Sequence, residues 1–240
     1  MNISNDLLRP MELISEQEPI PFWKRLLDIV MILIALPLLM PLMLLIALVI
    51  WSVSTGPVLF VQERIGFQGR RFRCFKFRSM KEAADTSLHQ SYLKSLMQAD
   101  VPMEKMDSRG DRRIIPFGLL LRSSGLDELP QILNVLRGEM SLVGPRPCLP
   151  YEYDQYLPWQ KERFNTVPGL TGLWQVSGKN RTTFVEMIRM DIAYANQRTL
   201  WLDIKIIIET VPAVLIQMLD VQRTKKKRLT IGHASANISR

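Results

Sequence analysis

The sequence predicts a mostly helical α+β chain in which an N-terminal membrane element is followed by a small β-hairpin and a series of short helices. Three observations carry this expectation. Ile29 to Ile50 are 22 consecutive apolar or proline residues without a charge. Val58–Gln62 and Arg71–Phe77 are short β-prone pieces joined through Gly66 and Gly69, the pattern of a hairpin. Helix-compatible stretches then recur to the end of the chain. A length of 240 residues accommodates one domain plus a membrane element. The expected divisions are a flexible extension (1–21), the membrane element (22–52), one domain (53–219) and a basic tail (220–240).

The apolar run is long enough to cross hydrocarbon, since about 20 residues at about 1.5 Å each span a layer of about 30 Å. It has no polar face, which argues against the core helix of a soluble protein. Pro37 and Pro41 sit near its middle, and each deletes a backbone donor that lipid cannot replace, so a bend is expected there. Lys24 and Arg25 precede the run and Arg64, Arg70, Arg71, Arg73, Lys76 and Arg78 follow it. Positive charge on both flanks fits a segment that enters and returns to one face; an ordinary span is the alternative. Asp28 is expected at the interface, paired with Arg25. Residues 1–21 contain Pro10, Pro19 and Pro21 and lack the pattern of a secretion signal.

The second β piece alternates Phe72, Cys74, Phe75 and Phe77 with Arg73, Lys76 and Arg78. Either its basic side chains approach an anion, or it is a half-buried strand with a solvated face. Residues 80–100 read as helix, 101–115 as a polar loop, and Phe117–Leu121, Asp127–Leu136, Thr183–Ala195 and Asp203–Met218 as further helices, the last interrupted by Pro212. The last helix has few polar residues and suits either a membrane surface or a core. Arg223, Lys225, Lys226, Lys227 and Arg228 beside it suit anionic lipid headgroups or plain solvation. Trp159, Trp174 and Trp201 are core residues or interfacial anchors.

A net charge of +8 favours an anionic partner: nucleic acid, phospholipid or a phosphorylated substrate. Cys74 and Cys148 match no metal-ligand or disulfide spacing, so a reducing compartment is the simpler reading. There is no phosphate-binding glycine loop, dinucleotide fingerprint or HExxH pattern, and His89 and His233 sit in no hydrolytic arrangement. The chemically suggestive stretch is Arg122-Ser-Ser-Gly-Leu-Asp127-Glu128-Leu-Pro-Gln131. Adjacent carboxylates can simply cap a helical turn. They gain chemistry if Lys76, Arg122 and Arg146 converge on them, with acids for a hard metal ion such as Mg²⁺ and cations for phosphate. Met140-Ser-Leu-Val-Gly-Pro-Arg-Pro147 combines a short strand with a rigid turn that projects Arg146. A second turn, Val167 to Trp174 and on through Gln175 to Arg181, offers polar groups for a nucleotide or sugar, or serves geometry alone.

From Phe22 to Leu219 the sequence resembles the bacterial sugar transferase family, the monotopic polyprenyl-phosphate hexose-1-phosphate transferases. The resemblance rests on Lys24-Arg-Leu-Leu-Asp28, Gly56-Pro-Val-Leu-Phe60, Gln62-Glu-Arg-Ile-Gly66, Phe75-Lys-Phe-Arg-Ser-Met80, Arg122 with Leu126-Asp-Glu-Leu-Pro-Gln131, Asn134 to Pro147, Pro168-Gly-Leu-Thr-Gly172, Trp174-Gln-Val-Ser-Gly178 and Asp203-Ile-Lys205. It implies a monotopic enzyme with a re-entrant helix-break-helix at residues 22–52 and a catalytic domain with interfacial helices on the cytoplasmic face of the bacterial inner membrane. The implied reaction moves a hexose 1-phosphate from a UDP-hexose to undecaprenyl phosphate, releasing UMP, at the start of exopolysaccharide, capsule or O-antigen assembly.

By that resemblance Asp127 is the nucleophile and Glu128 its acidic partner at Mg²⁺. Lys76, Arg78, Arg122, Arg146, Asp191 and Asp203 are the expected substrate-binding set. Further expected partners are anionic lipids, a second copy of the chain and downstream glycosyltransferases, with no nucleic acid. Many relatives carry a Ser-Pro pair at the helix break, where this chain has Met40-Pro41 and an additional Pro37. The competing function is a non-catalytic membrane-anchored scaffold of a glycan assembly complex.

Overall fold

A computed structural model describes residues 20–81, 96–97, 113–178 and 182–238, with side chains to residue 219. The expected helix at 80–100 and loop at 101–115 lie largely outside the described residues, as do the N-terminal extension, Lys179 to Arg181 and the side chains of the basic tail.

The apolar run forms α1, Phe22–Val53, a single helix of 32 residues that stays continuous through Pro37 and Pro41 rather than breaking there. Straight, such a helix measures about 48 Å. Leu33, Ile34, Leu38, Met40, Leu44, Leu45 and Leu48 are exposed along its outer side. Its inner stripe is part of the fold. Ile32 packs with Cys74, Ile132, Val135 and Met140, while Ile46 and Ile50 pack with Phe77, Ile115 and Leu121.

The expected hairpin is present and its first strand is longer than the sequence suggested. Strands β1 (Leu59–Ile65) and β2 (Arg71–Phe77) pair antiparallel with Leu59 opposite Phe77 and Ile65 opposite Arg71. The alternation of β2 sorts its side chains: Cys74 turns towards the domain with Lys76 on the same face, and Phe77 on the other face meets α1. Next come α2 (Gly118–Ser124), a 3-10 segment (Leu126–Gln131) and α3 (Ile132–Arg137). The sequence reads 127–136 as one helix. Pro130 removes a donor inside it, and the chain runs as a tighter 3-10 turn up to Gln131 before α3 begins.

Strands β3 (Ser141–Val143) and β4 (Gly169–Thr171) form a parallel pair. A Cβ on Gly169 would lie 2.0 Å from the Gly144 nitrogen, and one on Gly144 would lie 2.5 Å from the Val167 oxygen. Both positions therefore require glycine for the backbones to approach. Between the strands lie α4 (Pro150–Tyr153) and a 3-10 segment, Pro158–Asn165. After β4 come α5 (Leu173–Val176), α6 (Phe184–Gln197) and α7 (Leu200–Ile238). Thr183 caps α6 by accepting from the Glu186 amide, with the Glu186 carboxylate returning to the Thr183 amide. Helix α7 continues through Pro212 instead of stopping there, and the basic tail continues the same helix. Trp174 is a core residue whose indole donates to Thr182 at 2.7 Å, whereas Trp201 is exposed.

Two buried polar contacts seat the start of α1 on this domain. Lys24 Nζ lies 2.5 Å from Asp203 Oδ2 and donates to the Val143 carbonyl at 2.8 Å, with the Tyr194 hydroxyl at 2.9 Å. Asp28 accepts from the Ser141 hydroxyl and the Leu142 amide, each at 2.9 Å. Asp28 is thus buried against β3 rather than interfacial and paired with Arg25, which donates instead to the Val135 and Leu136 carbonyls at the end of α3.

Candidate active site

The candidate site is assembled where β2 passes the 3-10 segment. Asn134, fully buried at the start of α3, fastens the two together. Its carbonyl accepts from the Phe75 amide at 3.1 Å, and its amide donates to the Arg73 carbonyl at 2.6 Å and to Glu139 at 2.7 Å. With β2 fixed, Lys76 reaches across to Glu128, Nζ to Oε1 2.7 Å. Gly125, in the left-handed conformation at φ 74°, turns the chain out of α2 into the 3-10 segment and places Asp127 and Glu128 in its first turn. Asp127 is buried and Glu128 half-buried.

A small polar pocket opens beside this pair. Arg64, Lys76, Glu128, Gln131, Arg146 and Gln175 line it, and its free space of about 20 Å³ suits about one water. Three cations against one carboxylate leave it with an excess of positive charge. Burial, and then the nearby Arg146, hold the Arg64 guanidinium below its ordinary value.

Arg146 is exposed at the tip of a turn whose carbonyls are all engaged. Pro145 O accepts from the Gly169 amide, Arg146 O from Arg163, Pro147 O from Arg64 and Cys148 O from the Ile65 amide. Because Pro145 and Pro147 have no N–H, the turn is fixed mainly through these oxygens.

A second, larger cavity of about 600 Å³ adjoins the polar pocket, within the size range of ligand sites. Its walls are mostly apolar, with Met31, Ala35 and Leu39 of α1, Leu129 and Ile132, and Ile207, Ala213 and Val214 of α7. Glu128, Leu170 and Gln175 border both spaces. The Thr171 and Thr210 hydroxyls meet at 2.8 Å in its wall, and Gln217 donates to the Ser123 carbonyl at 2.7 Å.

The residues expected in the site thus divide. Lys76, Glu128 and Arg146 come together, with Asp127 on the same turn as Glu128. Arg122 lies in the last turn of α2, its Nη1 3.4 Å from the Ser79 hydroxyl at the end of β2. Arg78 donates to the Ser54 and Gly56 carbonyls and so ties down the connection from α1 to β1. Asp191 pairs with Arg163 at 2.5 Å and Asp203 with Lys24, both in the buried interior. Neither acid lines the polar pocket, because each is consumed by a buried cation. Pro37 and Pro41 are exposed in mid α1.

Sequence reasoning passed over Arg64, Asn134 and Arg163. The signal for Arg64 is its spacing of two from Gln62 on β1, which puts both on one face, where Arg64 donates to the Gln62 side-chain Oε1 at 2.7 Å. Among the described residues no three His, Cys, Asp or Glu side chains are grouped to hold a metal by themselves. Glu128 lines both spaces and Asp127, which lines neither, precedes it on the same 3-10 turn; both are hard oxygen donors of the type Mg²⁺ takes.

With this geometry in place, the bacterial sugar transferase family model matches residues 20–217, and the chain belongs to that family. A galactosyl transferase, CpsE, of Streptococcus agalactiae serotype III (strain NEM316) is 44% identical over 162 residues, covering 67% of this chain and 35% of the relative. The exopolysaccharide production protein ExoY of Rhizobium meliloti (strain 1021) is 38% identical over 196 residues, 80% of this chain and 85% of ExoY. A UDP-glucose:undecaprenyl-phosphate glucose-1-phosphate transferase of Caulobacter vibrioides is 42% identical over 200 residues, 80% of this chain and 69% of the relative. The chain therefore spans most of ExoY but only about a third of the streptococcal protein.

Proposed function

We propose that the protein transfers a hexose 1-phosphate from a UDP-hexose to undecaprenyl phosphate, releasing UMP, at the cytoplasmic face of the bacterial inner membrane. The observation that carries this reading is the shared border of the two spaces: a cationic pocket and an apolar cavity meet at Glu128, Leu170 and Gln175. A lipid phosphate has that same division, and an acceptor chain in the apolar cavity would bring its phosphate to the cationic end. The names of the relatives, which include undecaprenyl-phosphate glucose and galactose phosphotransferases, point the same way.

The expected chemistry runs in two displacements. A carboxylate oxygen of Asp127 attacks the phosphorus that bears the sugar, the bridging P–O bond breaks, and its electron pair leaves with UMP. The product is an acyl phosphate between Asp127 and the sugar phosphate. An oxygen of the lipid phosphate then attacks the same phosphorus, the Asp127–phosphorus bond breaks, and the polyprenyl diphosphate sugar departs with the carboxylate restored. Two anions must meet twice, so Lys76, Arg64 and Arg146 screen the incoming phosphates, and Arg122 extends the cationic set along the end of β2. A diphosphate must displace Glu128 from Lys76 to enter the pocket, which couples substrate entry to release of the Glu128 carboxylate. Asp127 and Glu128 would hold Mg²⁺, which supplies charge neutralisation at the diphosphate when bound. Arg78, Asp191 and Asp203 act through the framework rather than by touching substrate.

The placement at one membrane face is supported by α1 itself. Its start is tied to Asp203 and Ser141, and its far end packs on Phe77 and Ile115 of the same domain. A helix crossing the bilayer would carry its ends to opposite sides. We therefore propose that α1 stays at one membrane face, its inner stripe on the domain and its exposed side, with Pro37 and Pro41, in the lipid.

The test is UMP release from a panel of UDP-sugars with undecaprenyl phosphate in detergent, with and without Mg²⁺. Release confined to one or a few donors and abolished by Asp127→Asn is expected. Full turnover by that variant would overturn the nucleophile, and no release with any donor from folded protein would favour a scaffold.

A further inference from the structure

The ion pair between Asp191 and Arg163 lies outside the pocket, yet it touches the turn that carries Arg146. Arg163 is 1% exposed and Asp191 2%. The guanidinium has three partners: Asp191 Oδ2 at 2.5 Å, the Tyr156 hydroxyl at 2.9 Å and the Arg146 carbonyl at 2.9 Å. It also faces the stacked rings of Tyr156 and Phe164, with centroids at 5.7 and 5.5 Å. A buried ion pair is a poor source of stability, because removing both charges from water costs about as much as their attraction returns. What this one does supply is a donor of fixed direction to a turn whose two prolines can be held mainly through carbonyls.

We infer that Asp191 and Arg163 are positioning residues for Arg146: Asp191 orients Arg163, and Arg163 fixes the backbone from which the Arg146 guanidinium is aimed into the anion pocket. The inference rests on the transfer reading above for what the pocket binds. Asp191 comes from α6 and Arg163 from the 3-10 segment 158–165, so two distant elements converge on one carbonyl. Arg64, on the other side, donates to the next carbonyl at 3.1 Å while itself lining the pocket, so the turn is clamped between two buried guanidiniums. Loss of aim by a fraction of an ångström to an ångström suffices to slow a transfer on the order of tenfold to a hundredfold.

The test is a double-mutant cycle of Asp191→Asn and Arg146→Ala, read both as UMP release and as UDP binding by calorimetry. In the otherwise unchanged protein, Asp191→Asn is expected to lower kcat/KM for the UDP-sugar about tenfold or more. In the Arg146→Ala background the same change should cost less than about twofold, because there is no longer a guanidinium to aim. Equal losses in the two backgrounds, or no loss in either, overturn the inference; a merely structural role predicts equal losses. Arg163→Lys retains the charge but not the three-way fork, and it carries the same cycle if Asp191→Asn does not fold. If no UDP-sugar supports UMP release, the transfer reading fails on its own, and the cycle in UDP binding still decides the positioning role.

Discussion

Lys76 and Glu128, 52 residues apart, meet at 2.7 Å and close the cationic pocket with their own ion pair. The pair is partly solvated, with side-chain exposures of 17% and 34%, so its contribution to stability is at most about 1 kcal/mol. In the proposed reaction its part is in binding. Lys76→Met is expected to leave the melting temperature nearly unchanged while UMP release falls on the order of a hundredfold, since a cation aimed at transferring phosphate is lost. Steady-state assays beside a thermal melt check this, and unchanged turnover would remove Lys76 from the site.

The buried pair of Lys24 and Asp203 predicts the opposite balance. With both side chains at most 1% exposed, Lys24→Met leaves the Asp203 carboxylate without its cation and should cost about 3–5 kcal/mol. Chemical denaturation in detergent micelles measures it. Lys24→Met combined with Asp203→Leu is expected to recover most of the loss, because the uncompensated charge is gone. If the double variant is as unstable as the single one, the pair's worth lies in its contacts with Tyr194 and Val143 instead.

These two pairs also mark what was legible in the sequence. The apolar run and the hairpin are local patterns, and both are present, the run as one unbroken helix and the hairpin with a first strand extended to Ile65. Lys24 and Arg64 were equally visible as charges but were read as flanking surface charge, since nothing local announces a partner 179 residues away or a neighbouring proline carbonyl. Asp191 and Asp203 are placed with substrate by the resemblance alone, and an isolated acid in a helix carries no sign of the cation it meets. The prolines show the limit of single-residue rules. Pro130 turned a predicted helix into a 3-10 segment, whereas Pro37, Pro41 and Pro212 sit inside helices that continue around them.

The apolar cavity makes a prediction that separates the two half-reactions. Ala35 of α1 and Ala213 of α7 both line it. Replacing either by Trp fills space that the proposed reaction gives to the lipid, at positions that do not line the polar pocket. Ala213→Trp should therefore leave the first burst of UMP from UDP-sugar intact and raise KM for undecaprenyl phosphate, on the order of tenfold, in steady state. Rapid-quench kinetics distinguish the phases. An equal loss in the burst would place the cavity outside the acceptor path.

Asp191 predicts a pH dependence of folding that a simple salt bridge would not. Burial raises its carboxyl from the ordinary 3.8 to about 6, although Arg163, and more weakly Arg146, pull it down. Desolvation outweighs pairing because the carboxyl is wholly buried. A folded value above the unfolded one means that folding binds a proton between about pH 4 and 6. The stability from this group is fully present below pH 3.8 and is lost as pH rises through about 6. Asparagine does not titrate, so Asp191→Asn removes that slope. The melting temperature of the variant minus that of the natural protein should move in the variant's favour by a few degrees between pH 4 and pH 7, and stay flat above. A difference that instead grows against the variant over that interval would show that Arg163 holds the carboxylate ionised throughout.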